Sequence, residues 1–373
     1  MTINNKKPTS EELLKSVIQR IATGPEMSKD ISRLEAKEAM TAIFNKEISD
    51  IRTAIFLIAL RMKRETEDEN LGVQDAIIDT IKTINIKTAN LINIADPYDG
   101  FTRNIPSSVF ILPVLAELGL PAVSQGVESV GPKYGCTHHL ILKLHGLDVL
   151  ASQEQVKERI EDKKIGWGYI DQKIFSPKLY ELMNLRKEII KRPIITTIEV
   201  LANPLVAGKN HFVTGYVHKA YPPIYLMLAR NAEFDTTLLV KGTEGGIIPS
   251  LRQKTKVHYY KKINDDDNVL EVDPIIDLDI KQDLRAVQIP TSITKTKKSD
   301  KIETEVNPLD IAKESLKLGF EALAGKDGVM KDCILYSTTL IMHHVTGESL
   351  TKCKNEVDQV MKSGAALKRF KLI

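Results

Sequence analysis

From Ser10 to about Ile84 the apolar residues recur at helical spacing, first Leu13, Leu14, Val17 and Ile21, then Ile43, Ile48, Ile51, Ile55, Ile58 and Leu60. The pattern predicts a small helical bundle. The run ISDIRTAIFLIALRMK is apolar almost all round, as suits a helix packed between others, and Ser49 or Asp50 can cap its start. RETEDENLG reads as a charged connection into GVQDAIIDTIKTI, whose Val73, Ile77, Ile78 and Ile81 face inward while Asp79 and Lys82 face water. The period then changes. NLINIAD, LPAVSQG, HFVTGYV, TTLLVKG and LRAVQIP are short, rich in β-favouring residues and bounded by Gly, Pro, Asp or Asn. Helical segments alternate with them: PSSVFILPVLAELG stops at Gly119, SQEQVKERIEDKK opens with Ser152 and Gln155 in capping-box spacing, and PPIYLMLARNA starts on proline. Strand and helix in alternation predict an α/β domain with a mainly parallel central sheet and functional loops at the carboxyl ends of its strands.

The expected organisation is an N-terminal helical domain over 1–84, with about 176–192 as a candidate to join it, and an α/β domain over 88–373. Lys261 to Lys301, acidic and then basic, reads as a surface excursion with one or two edge strands, and the tail from Pro308 returns to helix through Leu316, Phe320 and Leu323. No internal repeat is visible.

Composition narrows the class. In 373 residues 42% are hydrophobic, enough for a sizeable core, and 52 Lys plus Arg against 49 Asp plus Glu leave a formal charge of +3. Attraction to nucleic acid or an anionic membrane would therefore need a local patch. The three cysteines, Cys136, Cys333 and Cys353, are far apart and form no C-x-x-C pair, which fits a reducing compartment and a cytoplasmic protein. The opening MTINNKKPTSEELL lacks the apolar centre of a signal peptide, and no window approaches the about eighteen apolar residues of a membrane span.

The densest chemistry lies in GVESVGPKYGCTHHLILKLHG, Gly126 to Gly146. A zinc site at Cys136, His138 and His139 has poor geometry, because adjacent side chains on a helix diverge by about 100°. A cysteine nucleophile needs a base and an electropositive setting, for which Lys133 is the one nearby group. The remaining chemical reading is an anion loop: Gly131 to Gly135 runs straight into a helix, offering free N–H groups, glycines for close approach and one lysine. Its structural alternative is a turn that simply starts a helix. A second loop, IADPYDGFTRNIPSS, leaves NLINIAD, turns at Asp99-Gly100 and enters a helix through Ser107 or Ser108. Together the two suit a phosphorylated ligand, lined by Asp99, Gly100, Asn104, Ser107, Ser108, Gly126, Lys133 and Gly135, with Arg186 and Arg192 as further cations. Neither loop has the G-x-x-x-x-G-K spacing of a P-loop. His343 and His344 read as ordinary residues on a packed helix.

Over nearly its whole length the chain resembles the anthranilate phosphoribosyltransferase family, of the glycosyltransferase family 3 fold. ISRLEAKEAMTAIFNKEISDIRTAIFLIALRMKRETEDE is similar to the family's N-terminal bundle, and DPYDGFTRNIPSS stands where the family has G-T-G-G-D-G followed by F-N-I-S-T. SQGVESVGPKYGCTH stands at K-H-G-N-R and K-S-G-S-A-D, while NLRKEIIKRPIITTIEVLANPL, KGTEGGIIP and SGAALKRFKLI match later landmarks. The resemblance implies a helical domain, a larger α/β domain and a homodimer formed through the helices. It also implies transfer of a phosphoribosyl group from phosphoribosyl pyrophosphate to an amine, with Mg²⁺ neutralising the departing pyrophosphate. Carried over by position, Asp99, Gly100, Asn104, Ser107 and Lys133 would line the sugar-diphosphate site, and Arg186 would meet the acceptor's carboxylate. Tyr134, Tyr169 and Phe175 are candidates for an acceptor pocket.

The departures are Pro97 and Tyr98 for two glycines, Ser124, Gln125 and Val127 for the lysine, histidine and asparagine of K-H-G-N, and Ile247 and Ile248 for the metal-binding Asp-Glu pair. An aliphatic pair cannot hold Mg²⁺, which leaves Glu244 as a weak metal candidate. Two functions are therefore expected to compete. One is a pentosyltransferase-like protein that binds a ribose phosphate or pyrophosphate, with an unknown acceptor. The other, resembling the family branch without metal carboxylates, is a non-catalytic homodimer that binds nucleic acid without sequence preference along Lys241, Arg252, Lys254, Lys256, Lys261 and Lys262, interleaved with Tyr259 and Tyr260.

Overall fold

Each of the first four helices begins on the cap its sequence supplies. In this computed structural model, which describes residues 8–24, 26–293 and 306–373, Thr9 caps α1 (Ser10–Ile21), Ser32 caps α2 (Arg33–Phe44), Ser49 caps α3 (Asp50–Lys63) and Thr66 caps α4 (Glu67–Ile78). Three of these caps are closed boxes, with Glu12, Glu35 and Glu69 reaching back to the cap backbone. RETEDENLG is thus not a connection. Its Thr66 starts α4, and Glu67, Asp68 and Glu69 form the first turn, where negative side chains meet the positive end of the helix dipole.

Glu69 is wholly buried, and its cost is met locally: the carboxylate accepts from the Ile31 and Thr66 N–H groups and pairs with Lys63 at 2.9 Å. On the neighbouring turn Arg33 grips Asp75 through two bonds of 2.7 and 2.8 Å. These helices and Ser176–Ala202 form one compact unit; Lys82–Phe175 and Asn203–Ile373 form the other.

The second unit is built on a seven-stranded sheet. Its strands are β2 (Leu91–Ala95), β3 (Ala122–Gly126), β4 (Trp167–Asp171), β6 (Asn210–Tyr216), β7 (Thr236–Lys241), β8 (Thr255–Tyr260) and β9 (Asn268–Val272), while β1 (Ile84–Asn85) and β5 (Leu205–Val206) pair separately. The order is β4-β3-β2-β6-β7-β8-β9; β4 to β7 are parallel neighbours, and β8 and β9 are antiparallel. The strands β2, β3, β4 and β6 are buried throughout, as expected of parallel strands covered on both faces. Chain progression reverses at the β2–β6 pair, a switch point of the kind that opens a crevice at the carboxyl ends.

The helices α5 (Ile111–Glu117), α6 (His138–His145) and α7 (Gln153–Glu161) follow β2 and β3, and the helix Tyr221–Asn231 follows β6. Four C-terminal helices, Pro308–Leu323, Val329–Thr346, Leu350–Ser363 and Ala365–Phe370, complete the core, where Phe370 stacks on Trp167 at 5.2 Å and lies 5.3 Å from Phe110.

Two elements differ from expectation. LRAVQIP is not a strand: only Gln288 forms a single bridge, with Asn104. WGYID is a strand despite its glycine, because α7 packs directly over Gly168, where a Cβ would lie 3.0 Å from Val156 Cγ1. The acidic stretch supplies the edge strand β9, while residues 294–301 of the basic stretch lie outside the described residues. Among the described residues no helix is long and apolar enough to cross a membrane.

Candidate functional site

Three loops meet at the carboxyl end of the sheet: 96–108 after β2, 127–137 after β3 and 242–248 after β7. The first two are zipped backbone to backbone. Phe101 and Cys136 exchange N–H to carbonyl bonds of 2.9 and 2.8 Å, and the Gly135 N–H donates to the Asp99 carbonyl at 2.9 Å. This approach is why Gly100 and Gly135 are glycines. A Cβ on Gly100 would lie 2.6 Å from the Gly135 carbonyl carbon, and one on Gly135 would lie 2.6 Å from the Phe101 nitrogen and oxygen. The glycines serve loop-to-loop packing, which neither loop's sequence reveals when read alone.

The zipped loops present a row of N–H groups. Those of Thr102, Arg103 and Asn104 donate to the carboxylate of Glu244 at 3.0, 2.8 and 2.9 Å, and the Asn104 amide adds a fourth bond of 3.2 Å. Lys133 stands alongside, its Nζ 3.1 Å from Asp99 and 3.9 Å from Glu244, with 20% of its side chain exposed. Asp99, Asn104, Lys133 and Glu244 are thus brought together, two carboxylates around one lysine, in a cradle of N–H groups that the Glu244 carboxylate fills. Glu244 does not belong to a metal-ligand set. Its oxygens are spent on N–H donors, its neighbours Ile247 and Ile248 are buried, and among the described residues no three His, Cys, Asp or Glu side chains could hold a metal ion together.

Beneath the cradle lies a polar network that the sequence reading missed. Asp96, the residue after β2, accepts from the Ser108 hydroxyl and from the Ile247 N–H at 3.0 Å, and lies 3.1 Å from His138 Nε2. His138 Nδ1 is 2.6 Å from the Ser124 hydroxyl, and its Nε2 is 2.8 Å from Ser108. A ring protonated at Nε2 satisfies all of these partners, with the Ser124 hydroxyl donating to Nδ1. Burial pushes the Asp96 pKa up, but His138, Ser108 and the Ile247 N–H more than offset it and hold the carboxyl below its ordinary value. None of the four side chains belongs to a residue more than 5% exposed, so the network braces the loops from within.

His139 points the other way, 2.8 Å from Asp171 at the end of β4, which also accepts from the Tyr169 hydroxyl at 3.0 Å. The adjacent histidines diverge as helical geometry requires, each to its own carboxylate, and share no metal. A signal existed in the sequence for Asp96, which closes the predicted strand NLINIAD, whereas Asp171 ends a strand that its own residues do not announce.

Other expected residues lie outside the cradle. Ser107 is buried beside the Cys333 thiol, and Ser108 serves Asp96. Gly126 lies under the Tyr169 ring, and Tyr169 and Phe175 are core residues rather than pocket walls. Tyr134 folds over Gly131. Burial alone raises the Cys136 thiol far above its usual range, so it is no nucleophile. Arg186, in the first unit, is 4% exposed and holds both Glu199 oxygens at 2.6 and 2.7 Å. Its guanidinium already has a carboxylate.

The basic strip is interrupted. Lys241, Arg252, Lys254, Lys256 and Lys262 are exposed, but Lys254 and Lys256 both approach Glu271 at 3.8 Å, and Lys261 bonds the His344 carbonyl. Tyr260 is fully buried and donates to the Phe234 carbonyl, while Tyr259 packs edge-on to His344. Tyr260 belongs to the core, and the half-buried Tyr259 ring already has Lys261 Nζ 5.5 Å from its centre.

Comparison with known proteins agrees with this architecture. Residues 15–81 match the glycosyl transferase family, helical bundle domain. An uncharacterized protein of Aquifex aeolicus is 30% identical over 241 residues, 64% of this chain and 71% of its own. An anthranilate phosphoribosyltransferase of Methanopyrus kandleri is 27% identical over 293 residues, 76% of this chain and 82% of its own. The chain belongs to the anthranilate phosphoribosyltransferase family. A solved structure of the Saccharomyces cerevisiae family member, in complex with PRPP and Mg, superposes with a TM-score of 0.74 over 97% of this chain and 96% of that one, at 16% identity. That likeness is one of fold.

Proposed function

We propose that this family member is a phosphoribosyltransferase-like protein that binds the phosphoryl or diphosphoryl end of a ribose-phosphate ligand at the cradle formed by residues 102–104 and Lys133. One observation carries the reading: three consecutive N–H groups converge on an anion beside a partly exposed lysine, at the switch-point end of a parallel sheet. Such an array stabilises terminal phosphoryl oxygens, and charge that develops on a departing diphosphate, without reorganising during the reaction.

Mg²⁺ does not fit the family's usual position, where two buried isoleucines stand, so charge neutralisation falls to Lys133 and the N–H groups. The acceptor is left open, because Arg186 is committed to Glu199 and the expected aromatic pocket residues are buried. We further propose a homodimer formed through α3, whose Ile51, Ile55 and Met62 are 74%, 42% and 75% exposed at helical spacing.

Calorimetric titration of phosphoribosyl pyrophosphate, with and without Mg²⁺, tests the reading. Saturable binding in the parent is expected, weakened at least about tenfold by Lys133→Ala, the loss of one charge-assisted contact. Absence of heat in both buffers, with salt-sensitive retention of DNA on a filter, would transfer the cradle to nucleic-acid backbone phosphate.

A further inference from the structure

The cradle is already filled by the protein itself. We propose that the Glu244 carboxylate is an internal stand-in for the ligand's anionic group, and that a phosphoryl anion binds residues 102–104 only by displacing it, with movement of the turn at 243–245. The inference rests on the proposed reading of these loops as an anion site.

The geometry is that of ligand capture rather than of an ordinary surface ion pair. Both carboxylate oxygens are used: Oε2 accepts from Thr102 and Oε1 from Arg103, Asn104 and the Asn104 side chain. Consecutive backbone N–H groups aimed at one point form an anion nest, and a carboxylate and a terminal phosphoryl group present comparable acceptor oxygens to it. The nearest cation, Lys133, sits 3.1 Å from Asp99 but 3.9 Å from Glu244. A group with more charge and a longer reach than a carboxylate would draw it in.

The segment carrying Glu244 is held at its ends and strained in its middle. The Ile247 N–H is fixed to Asp96 at 3.0 Å, and Thr243 is fixed at 2.8 Å to the Ile248 carbonyl. Between them Glu244 has φ +53°, a left-handed conformation unusual for a side-chain-bearing residue, and the following N–H makes only a long 3.4 Å bond to Gly242. The four bonds from residues 102–104 anchor its side chain there, over a turn closed by the Gly246 N–H to the Thr243 carbonyl at 3.0 Å. An anion that supplied those bonds itself would release the turn toward a relaxed conformation, so binding and release are coupled through one residue.

Pyrophosphate titrated calorimetrically into the parent, Glu244→Ala and Glu244→Gln proteins, with melting temperatures recorded for each, decides the matter. Glu244→Ala is expected to bind at least about tenfold more tightly than the parent, since the competitor is gone, and to gain more in melting temperature on adding pyrophosphate. Glu244→Gln keeps the shape without the charge, so it reports on competition even where the alanine variant fails to fold; it should lie between the two. Equal affinity in all folded proteins, or weaker binding in the variants, overturns the displacement while leaving the anion site intact. No binding of pyrophosphate to any of them overturns both.

Discussion

Gly119 and Gly135 look alike in the sequence, each closing an apolar helix or opening one, yet they are glycines for different reasons. Gly119 has φ +78° and open space where a Cβ would go, so alanine there meets only conformational strain, about 1 kcal/mol. Gly135 is pressed against the backbone of Phe101, which cannot rotate away as a side chain could. Gly135→Ala should therefore cost about 3 kcal/mol and disturb the 102–104 cradle as well. Urea unfolding of both variants checks this: similar losses would mean that the two loops are not zipped. Ser124→Ala is a subtler probe at the same scale. It removes the hydroxyl 2.6 Å from His138 Nδ1 and leaves a buried ring nitrogen unpaired, for an expected loss of about 1–3 kcal/mol. A loss below about 0.5 kcal/mol in the same urea assay would mean that the bond contributes little.

Among the elements, α3 explains itself only through a second surface. Thr53, Phe56, Leu57 and Leu60 are buried within the first unit, whereas Ile51, Ile55 and Met62 are exposed along the other side. Such a helix, apolar on both faces, suits the proposed dimer. Ile55→Arg should shift sedimentation from dimer to monomer with little change in helix content; a parent already monomeric at micromolar concentration would refute the dimer.

The same helix shows what was legible in the sequence. Its cap, length and all-round apolar character are local properties, as are the capping boxes of α1, α2 and α7 and the apolar runs of β2, β3, β6 and β7. What was illegible depends on partners distant in the chain. WGYID is a strand because α7 covers its glycine, LRAVQIP is not one because its neighbour is the Asn104 loop, and Asp96, Ser124 and His138 become a network only when β2, β3 and α6 are side by side. Glu244 was visible only as a weak metal candidate, since nothing local shows that N–H groups about 140 residues away converge on it.

At the scale of the whole second unit, the sheet is tied to the C-terminal helices through two buried histidines sharing one hydroxyl. His211 on β6 lies 2.9 Å from Thr236 Oγ1 on β7 and 3.0 Å from Asn90 Oδ1, and His344, from the helix Val329–Thr346, lies 3.0 Å from the same Thr236 oxygen. Burial lowers the His211 pKa to about 4, with Asp235 opposing and Lys209 and Lys261 assisting, and burial beside Lys261 and His211 takes His344 well below its usual value. With its pKa near 4 the His211 ring is neutral in the folded protein at pH 5, and burial favours the neutral His344 ring likewise, whereas in the unfolded chain both take up protons below about pH 6.5. The unfolded state therefore binds more protons in this window, and stability must fall as the pH drops from about 6.5 toward 4. Between pH 7 and pH 5 His211 should remove about 2 kcal/mol, and His344 adds a loss of the same sign. Guanidinium unfolding at the two pH values measures the loss, and His211→Gln with His344→Gln should flatten it, even though the double variant is less stable at pH 7. If the variant kept the parent's full loss between pH 7 and pH 5, the two rings would not be its source; a loss confined below about pH 4 would reside instead in carboxylates such as Asp96. That alternative carries its own signature, because a depressed carboxyl pKa withdraws stability only as the pH falls below about 4, beneath the histidine window.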